Sequence, residues 1–407
     1  MKLKKLLCLF LCLMMTVPTL SFCTFAANDD PKMLSELFEF GIGPETDGYS
    51  IDYRYFSPVK ENDSTKYPLV IWLHGMGNGG EDGKQLSTSN IAYWASDDFQ
   101  SRFKNSGGAF IMAPRSLEEE NLYWSDELIF PLRRTIDSFI EENRENIDVK
   151  RIYVGGYSMG GKMTLKLAVA YPDMFAAIFP ICPAWVPGDE AVAQLKDIPM
   201  WLTSGVPDTV AHYFAFVMPT WENIVKASNR PEDLRFSSLE IVCYENGIPT
   251  ISPHFAWFAV NHDMFSSKNG DYPFMTTVNG KGRYVNLTYP DGMISWLSGY
   301  ESNFDGSAAT DSGNDAVKDE GANLSLGLIF EILKNRIEHF ISYIFNSGER
   351  LCHTYSLTLK KSLPPTVSRS TSHSAVTAST GLRSTGESLS LQAQWVQGVA
   401  VILKLCV

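Results

Sequence analysis

The sequence predicts an α/β domain: a mostly parallel, twisted sheet with helices on both faces. Three observations predict it. Short apolar runs alternate with stretches of helical period from Tyr49 onward, the pattern of βαβ units. One run, Tyr67–Leu73, is apolar without a break, as in a strand buried on both faces. A Gly-rich turn at 155–161 joins an apolar strand directly to a helix.

In chain order, the alternation predicts a strand over Tyr49–Ser57. Buried strands follow at Tyr67–Leu73 and Ala109–Ala113, then a helix over Asp126–Asn143. Arg151–Val154 reads as a strand and Gly160–Tyr171 as a helix stopped by Pro172. Phe175–Ile181, Pro199–Thr203 and Ser238–Tyr244 complete the strands. No internal repeat is visible.

The flanks read differently. Lys2, Lys4 and Lys5 precede an apolar run from Leu6 to Val17, then Pro18 and small residues near Ala26-Ala27. That is the plan of a secretory signal peptide over 1–27, and the apolar run is shorter than the about 20 residues a membrane span needs. The protein is therefore expected to be exported, secreted or held at the cell surface. The main α/β domain is expected over 28–300. Glu301–Ala322, rich in Gly, Ser, Asp and Asn, reads as a linker. Leu324–Phe345 has apolar residues at helical spacing, an amphipathic helix over 323–346 that docks, self-associates or touches a membrane or cell surface through 324–345. The Ser/Thr-rich remainder, 347–407, reads as a disordered tail.

Charge and cysteine content narrow the function. Among 407 residues, 44% are apolar and 20% charged, which excludes a disordered or fibrous chain. The formal charge is −12. Both ends are basic, so the middle of the chain is more acidic than that, and a nucleic-acid partner is not expected. Three of seven cysteines lie in the leader; the remaining four form neither a disulfide framework nor a zinc-spaced set. No metal or cofactor is called for.

The chemistry concentrates in Gly156-Tyr157-Ser158-Met159-Gly160, a G-x-S-x-G pentapeptide entered by a strand and left by a helix. Such an elbow pushes the serine above the sheet edge, and a helix amino end favours developing negative charge. Upstream, His74-Gly75-Met76-Gly77 follows the buried strand. An oxyanion hole needs two converging amides; Met159 and Met76 are the candidates, with His74 a turn residue. The glycines do not fit a phosphate-binding loop, since Asn78 and Gln85 stand at two of its defining positions. Asp208 follows the Pro199–Thr203 strand, where a carboxylate can orient a histidine. Of the later histidines, His254, with Trp257 three residues on to pack its loop, is favoured as the base, and His262 is the alternative. Trp124, Trp185, Trp221 and Trp257 are candidate pocket aromatics.

With these motifs in view, the chain resembles the α/β-hydrolase superfamily. More narrowly it is similar to secreted bacterial esterases of the polyhydroxybutyrate-depolymerase and feruloyl-esterase-like group, often labelled predicted peptidases. The stretches that carry this are Trp72–Asp82, Arg151–Gly161, Tyr171–Cys182, the H-x-x-W at His254–Trp257 and Asp291–Leu297. The resemblance spans about Met33 to Tyr300. It implies Ser158 as nucleophile, Asp208 as acid, His254 as base and the Met76 and Met159 amides as oxyanion donors. It departs at Pro253, where a glycine usually precedes the base, and at Asn261–Asn286, which looks inserted. The expected activity is hydrolysis of a small or polymeric carboxylic ester, with a serine peptidase or a non-catalytic binding protein on the same scaffold as alternatives.

Overall fold

The computed structural model of the chain describes residues 31–311, 313 and 317, apart from 88, 119–120, 245–248, 264, 266–273 and 288–290. All of them belong to the unit Met1–Phe340. The expected signal peptide, the 323–346 helix and the tail lie outside the described residues.

Among the described residues, nine strands form one sheet. They are β1 (Glu39–Ile42), β2 (Asp52–Phe56), β3 (Tyr67–Leu73), β4 (Phe110–Pro114), β5 (Ile147–Tyr157), β6 (Ala177–Ile181), β7 (Met200–Gly205), β8 (Leu234–Leu239) and β9 (Met275–Asn279). Their spatial order is β1-β2-β4-β3-β5-β6-β7-β8-β9. The six central strands, β4 to β8 in that order, run parallel; β1, β2 and β9 are antiparallel at the edges.

The period of two sorts the core into two layers. From β3, Leu69, Ile71 and Leu73 join one apolar cluster, while Val70 and Trp72 join the other. Met200 and Leu202 of β7 divide from Trp201 in the same way. This explains why β3 is buried at every residue and carries no charged side chain. On the first face lie α1 (Ile129–Glu142), α2 (Met159–Ala170), α3 (Asp189–Leu195) and α4 (Met218–Ala227). The second face is covered by α5 (Met293–Leu297) and by the segment containing Trp94, Phe99 and Phe103. Trp94 stacks on Phe99 there, with centroids 5.0 Å apart.

Three expectations shift. The strand expected at Ser238–Tyr244 is Leu234–Leu239: burial of Leu234, Phe236 and Leu239 fixes it, and Val242 and Cys243 are buried beyond its end. The stretch that looks inserted contains β9, the antiparallel edge beside β8. The described part of the 301–322 segment is bound to the domain, despite its linker-like composition. Ala309 N donates to Asp137 Oδ2 at 2.8 Å, and Arg133 Nη2 donates to the Ser307 carbonyl at 2.9 Å. Phe304 and Val317 are buried in the first cluster. Polar backbone satisfied by a neighbouring domain leaves the same composition as a free linker.

Candidate active site

The site forms at the carboxyl ends of β3, β5 and β7. β5 ends at Tyr157, Ser158 turns the chain, and α2 starts at Met159. Ser158 has φ 58° and ψ −114°, a left-handed conformation that costs a non-glycine residue of order 1 kcal/mol or more. The neighbours explain how the turn closes. A β-carbon on Gly160 would stand 1.9 Å from the Leu73 carbonyl oxygen, and one on Gly156 2.5 Å from the same atom. Only glycine lets the elbow press against the end of β3. Ser158 N donates to the Ile181 carbonyl at 2.9 Å, which ties the turn to β6. The serine hydroxyl caps no helix amide, so its oxygen is left for other chemistry.

Asp208 lies three residues past the end of β7. Its Oδ1 accepts from Val210 N at 2.8 Å, which sets the carboxylate's direction. His254 sits on a single 3-10 turn, Pro253–Phe255, with Ser252 Oγ accepting from the His254 amide at 3.2 Å. Gly205 has to be glycine for this turn to approach: a β-carbon there would meet the Pro253 carbonyl oxygen at 2.3 Å. His254 Nδ1 donates to Asp208 Oδ2 at 2.7 Å, and His254 Nε2 lies 3.0 Å from Ser158 Oγ. A proton on Nδ1 leaves Nε2 as the acceptor for the serine hydroxyl. The Tyr157 ring packs against the imidazole at 4.9 Å. Asp208 is 2% exposed and His254 7%.

His262 is placed elsewhere. It is stacked between Phe258 and Tyr93, at 4.4 and 5.2 Å, with Nε2 3.0 Å from Asn90 Nδ2. The two candidate histidines are thus separated by geometry: His254 meets Ser158 and Asp208, and His262 holds the segment around Asn90.

The loop after β3 is braced from beneath. His74 is fully buried; its Nδ1 donates to the Gly75 carbonyl at 2.7 Å, and its Nε2 accepts from Ser116 N at 3.0 Å. Burial pushes its pKa down to about 4, so the ring stays neutral and keeps both bonds. The indole of Trp124 donates to the His74 carbonyl at 2.9 Å. Gly77 N donates to Glu118 Oε1 at 2.8 Å, one residue beyond Met76. The Met159 amide, in the first turn of α2, belongs to the donors that a helix leaves without an internal partner.

Of the candidate aromatics, Trp124, Trp185 and Trp221 are buried in the first cluster, and Lys166 Nζ lies 5.4 Å from the Trp185 ring centroid. Trp257 keeps part of its surface exposed and packs 6.4 Å from Tyr157. Sequence reasoning missed Glu118, Ser252 and Cys182. Cys182 is fully buried at the end of β6 with φ 46°. Its thiol donates to the His254 carbonyl at 3.6 Å and accepts from Ser204 Oγ at 3.6 Å. Burial and the Asp208 carboxylate beside it push the thiol pKa up. No spacing rule links residues 118, 182 and 252 to 158; only the sheet order does.

A mostly parallel sheet with a serine elbow after its fifth strand, and an acid and a histidine from later strand ends, defines an α/β-hydrolase. Within that class, residues 49–240 match the model of the family described as putative esterase. A probable carboxylesterase SOBER1-like protein of Arabidopsis thaliana is 23% identical over 185 residues, covering 39% of this chain and 66% of its own. Feruloyl esterase B of Thermothelomyces thermophilus is 26% identical over 163 residues, covering 39% of this chain and 51% of its own. The chain thus spans about half to two thirds of the length of these relatives. A solved thermostable esterase is 29% identical, with a TM-score of 0.46, over 56% of this chain and 61% of its own.

Proposed function

We propose that the chain is an exported serine hydrolase that cleaves carboxylic esters through an acyl-enzyme. The single observation that carries this is the continuous relay from Asp208 Oδ2 through His254 to Ser158 Oγ, with contacts of 2.7 and 3.0 Å. The match of residues 49–240 to an esterase family supports the ester as substrate. The leader-like composition of residues 1–27 supports export.

In the first step Ser158 Oγ attacks the ester carbonyl carbon while His254 Nε2 takes the hydroxyl proton. Asp208 holds the imidazole with its other proton on Nδ1 and stabilises the imidazolium that forms. The carbonyl oxygen, now negative, is met by the amides of Met76 and Met159. His254 passes its proton to the leaving alcohol, and the acyl group stays on Ser158. Water then enters, gives a proton to His254 Nε2 and adds to the acyl carbon. Collapse returns the proton to Ser158 and releases the acid. The feruloyl esterase among the relatives makes hydroxycinnamoyl esters on polysaccharide a first substrate class to try.

The test is a direct comparison of p-nitrophenyl acetate and methyl ferulate with a peptide anilide. Faster ester turnover is expected. Faster amide turnover would replace the reading with a serine peptidase, and no turnover of either would favour a binding protein on this scaffold.

A further inference from the structure

We propose that Cys182, Asp208 and His254 form an inhibitory binding site for a thiophilic divalent cation of the zinc and cadmium kind. One donor atom from each residue, Sγ, a carboxylate oxygen and an imidazole nitrogen, lies within 4.8 Å of the other two. No other such group of three occurs among the described residues. Sulfur, nitrogen and carboxylate oxygen are the donors zinc prefers, and tetrahedral coordination sets them roughly 3.3–3.8 Å apart. Nδ1 and Oδ2, 2.7 Å apart, must therefore part by roughly half an ångström, while Sγ closes on both.

The fold eases that rearrangement on two sides. The Cys182 contacts to the His254 carbonyl and Ser204 Oγ are long, 3.6 Å each, and so weak. His254 rides on a one-turn segment held by the Ser252 cap. The sulfur is fully buried against the His254 carbonyl, so a cation reaching it has to displace that contact. Inhibition is accordingly slow in onset.

The proton balance explains why binding silences the site, and this part rests on the reading of Ser158 as nucleophile. The Cys182 thiol loses its proton to solvent and binds as thiolate. His254 binds through Nδ1, so the proton of that nitrogen moves to Nε2. Asp208 gives its bond with Nδ1–H for a bond to the metal. One proton leaves per cation bound. His254 Nε2 then donates to Ser158 Oγ where it had accepted, and the serine has no base.

The test titrates Cd2+ into the full chain and reads the thiolate-to-cadmium ultraviolet band as a difference between wild type and Cys182→Ala. Cys182→Ser, which keeps a small polar group at the same φ, is the second variant should alanine impair folding. The expected result is one extra band equivalent in wild type, lost in either variant. In parallel, the Zn2+ concentration for slow-onset inhibition rises by about 10-fold or more in the variants. Imidazole nitrogen NMR shows His254 protonated at Nε2 in the zinc form. Equal bands in all three proteins, or equal zinc sensitivity, overturns the proposal. The band needs no substrate, so it is decided independently of whether Ser158 cleaves an ester.

Discussion

His254 Nε2 lies 3.0 Å from Ser158 Oγ, whereas His262, only eight residues on, stacks on Phe258 at 4.4 Å and contacts Asn90. Substituting each histidine therefore gives different outcomes. His254→Ala is expected to lower kcat by several orders of magnitude with little change in thermal stability. His262→Ala is expected to lower Tm, because it removes a stacked, nine-tenths-buried ring, and to leave kcat per folded molecule within about threefold. Parallel melts and ester assays check both. A His262 variant that is stable but inactive would reverse the assignment.

Asp208 makes a second prediction. Asn at 208 keeps the size of the side chain and can still bond to the imidazole. Its amide donates to Nδ1, though, and so moves the histidine's proton to Nε2. Asp208→Asn is expected to drop kcat by about 10⁴ with an unchanged far-ultraviolet spectrum.

Glu118 holds Gly77 N, next to Met76 in the loop that offers one oxyanion donor. Glu118→Ala frees that loop. A fall in kcat of about 10-fold or more with a nearly constant KM is expected, since the amide acts on charge that exists only in the transition state. Steady-state kinetics on one neutral ester decides it. A change confined to KM would assign Glu118 to substrate binding.

His74 gives a pH dependence. Folding lowers its pKa from 6.5 to about 4. At high pH the ring is neutral in both states and contributes its full share. As pH falls through 6.5 the unfolded chain takes up a proton that the folded ring refuses until about 4. Stability is therefore lost across that window, up to roughly 3 kcal/mol from this group. Tm measured from pH 7 to 4 is expected to fall more steeply in wild type than in His74→Gln. Parallel slopes would show that the acid sensitivity comes from elsewhere.

Much of the fold was readable because its central strands are buried on both faces. Tyr67–Leu73 and Phe110–Pro114 have no solvent face to carry polar residues, and unbroken apolar runs announce them. The edges were harder. β1 is four residues long and mostly exposed, and β9 alternates only weakly, so neither has a strong period. At the site, Ser158 and Asp208 were legible because each follows a strand end within a few residues. The choice between His254 and His262 was legible only as a preference for His254. It depends on Gly205 admitting the Pro253 backbone, a contact between residues almost fifty positions apart in sequence. Cys182 gave no signal at all, since its closeness to Asp208 follows from β6 lying next to β7.

The central claim is that Ser158 Oγ is a nucleophile activated by His254. It is tested most directly by treating the folded protein with a fluorophosphonate and locating the adduct by peptide mass spectrometry. Stoichiometric phosphonylation of Ser158 in wild type, and its loss in His254→Ala, is the result expected. Wild-type protein that is folded yet unlabelled at Ser158, or labelled equally without the histidine, contradicts the account.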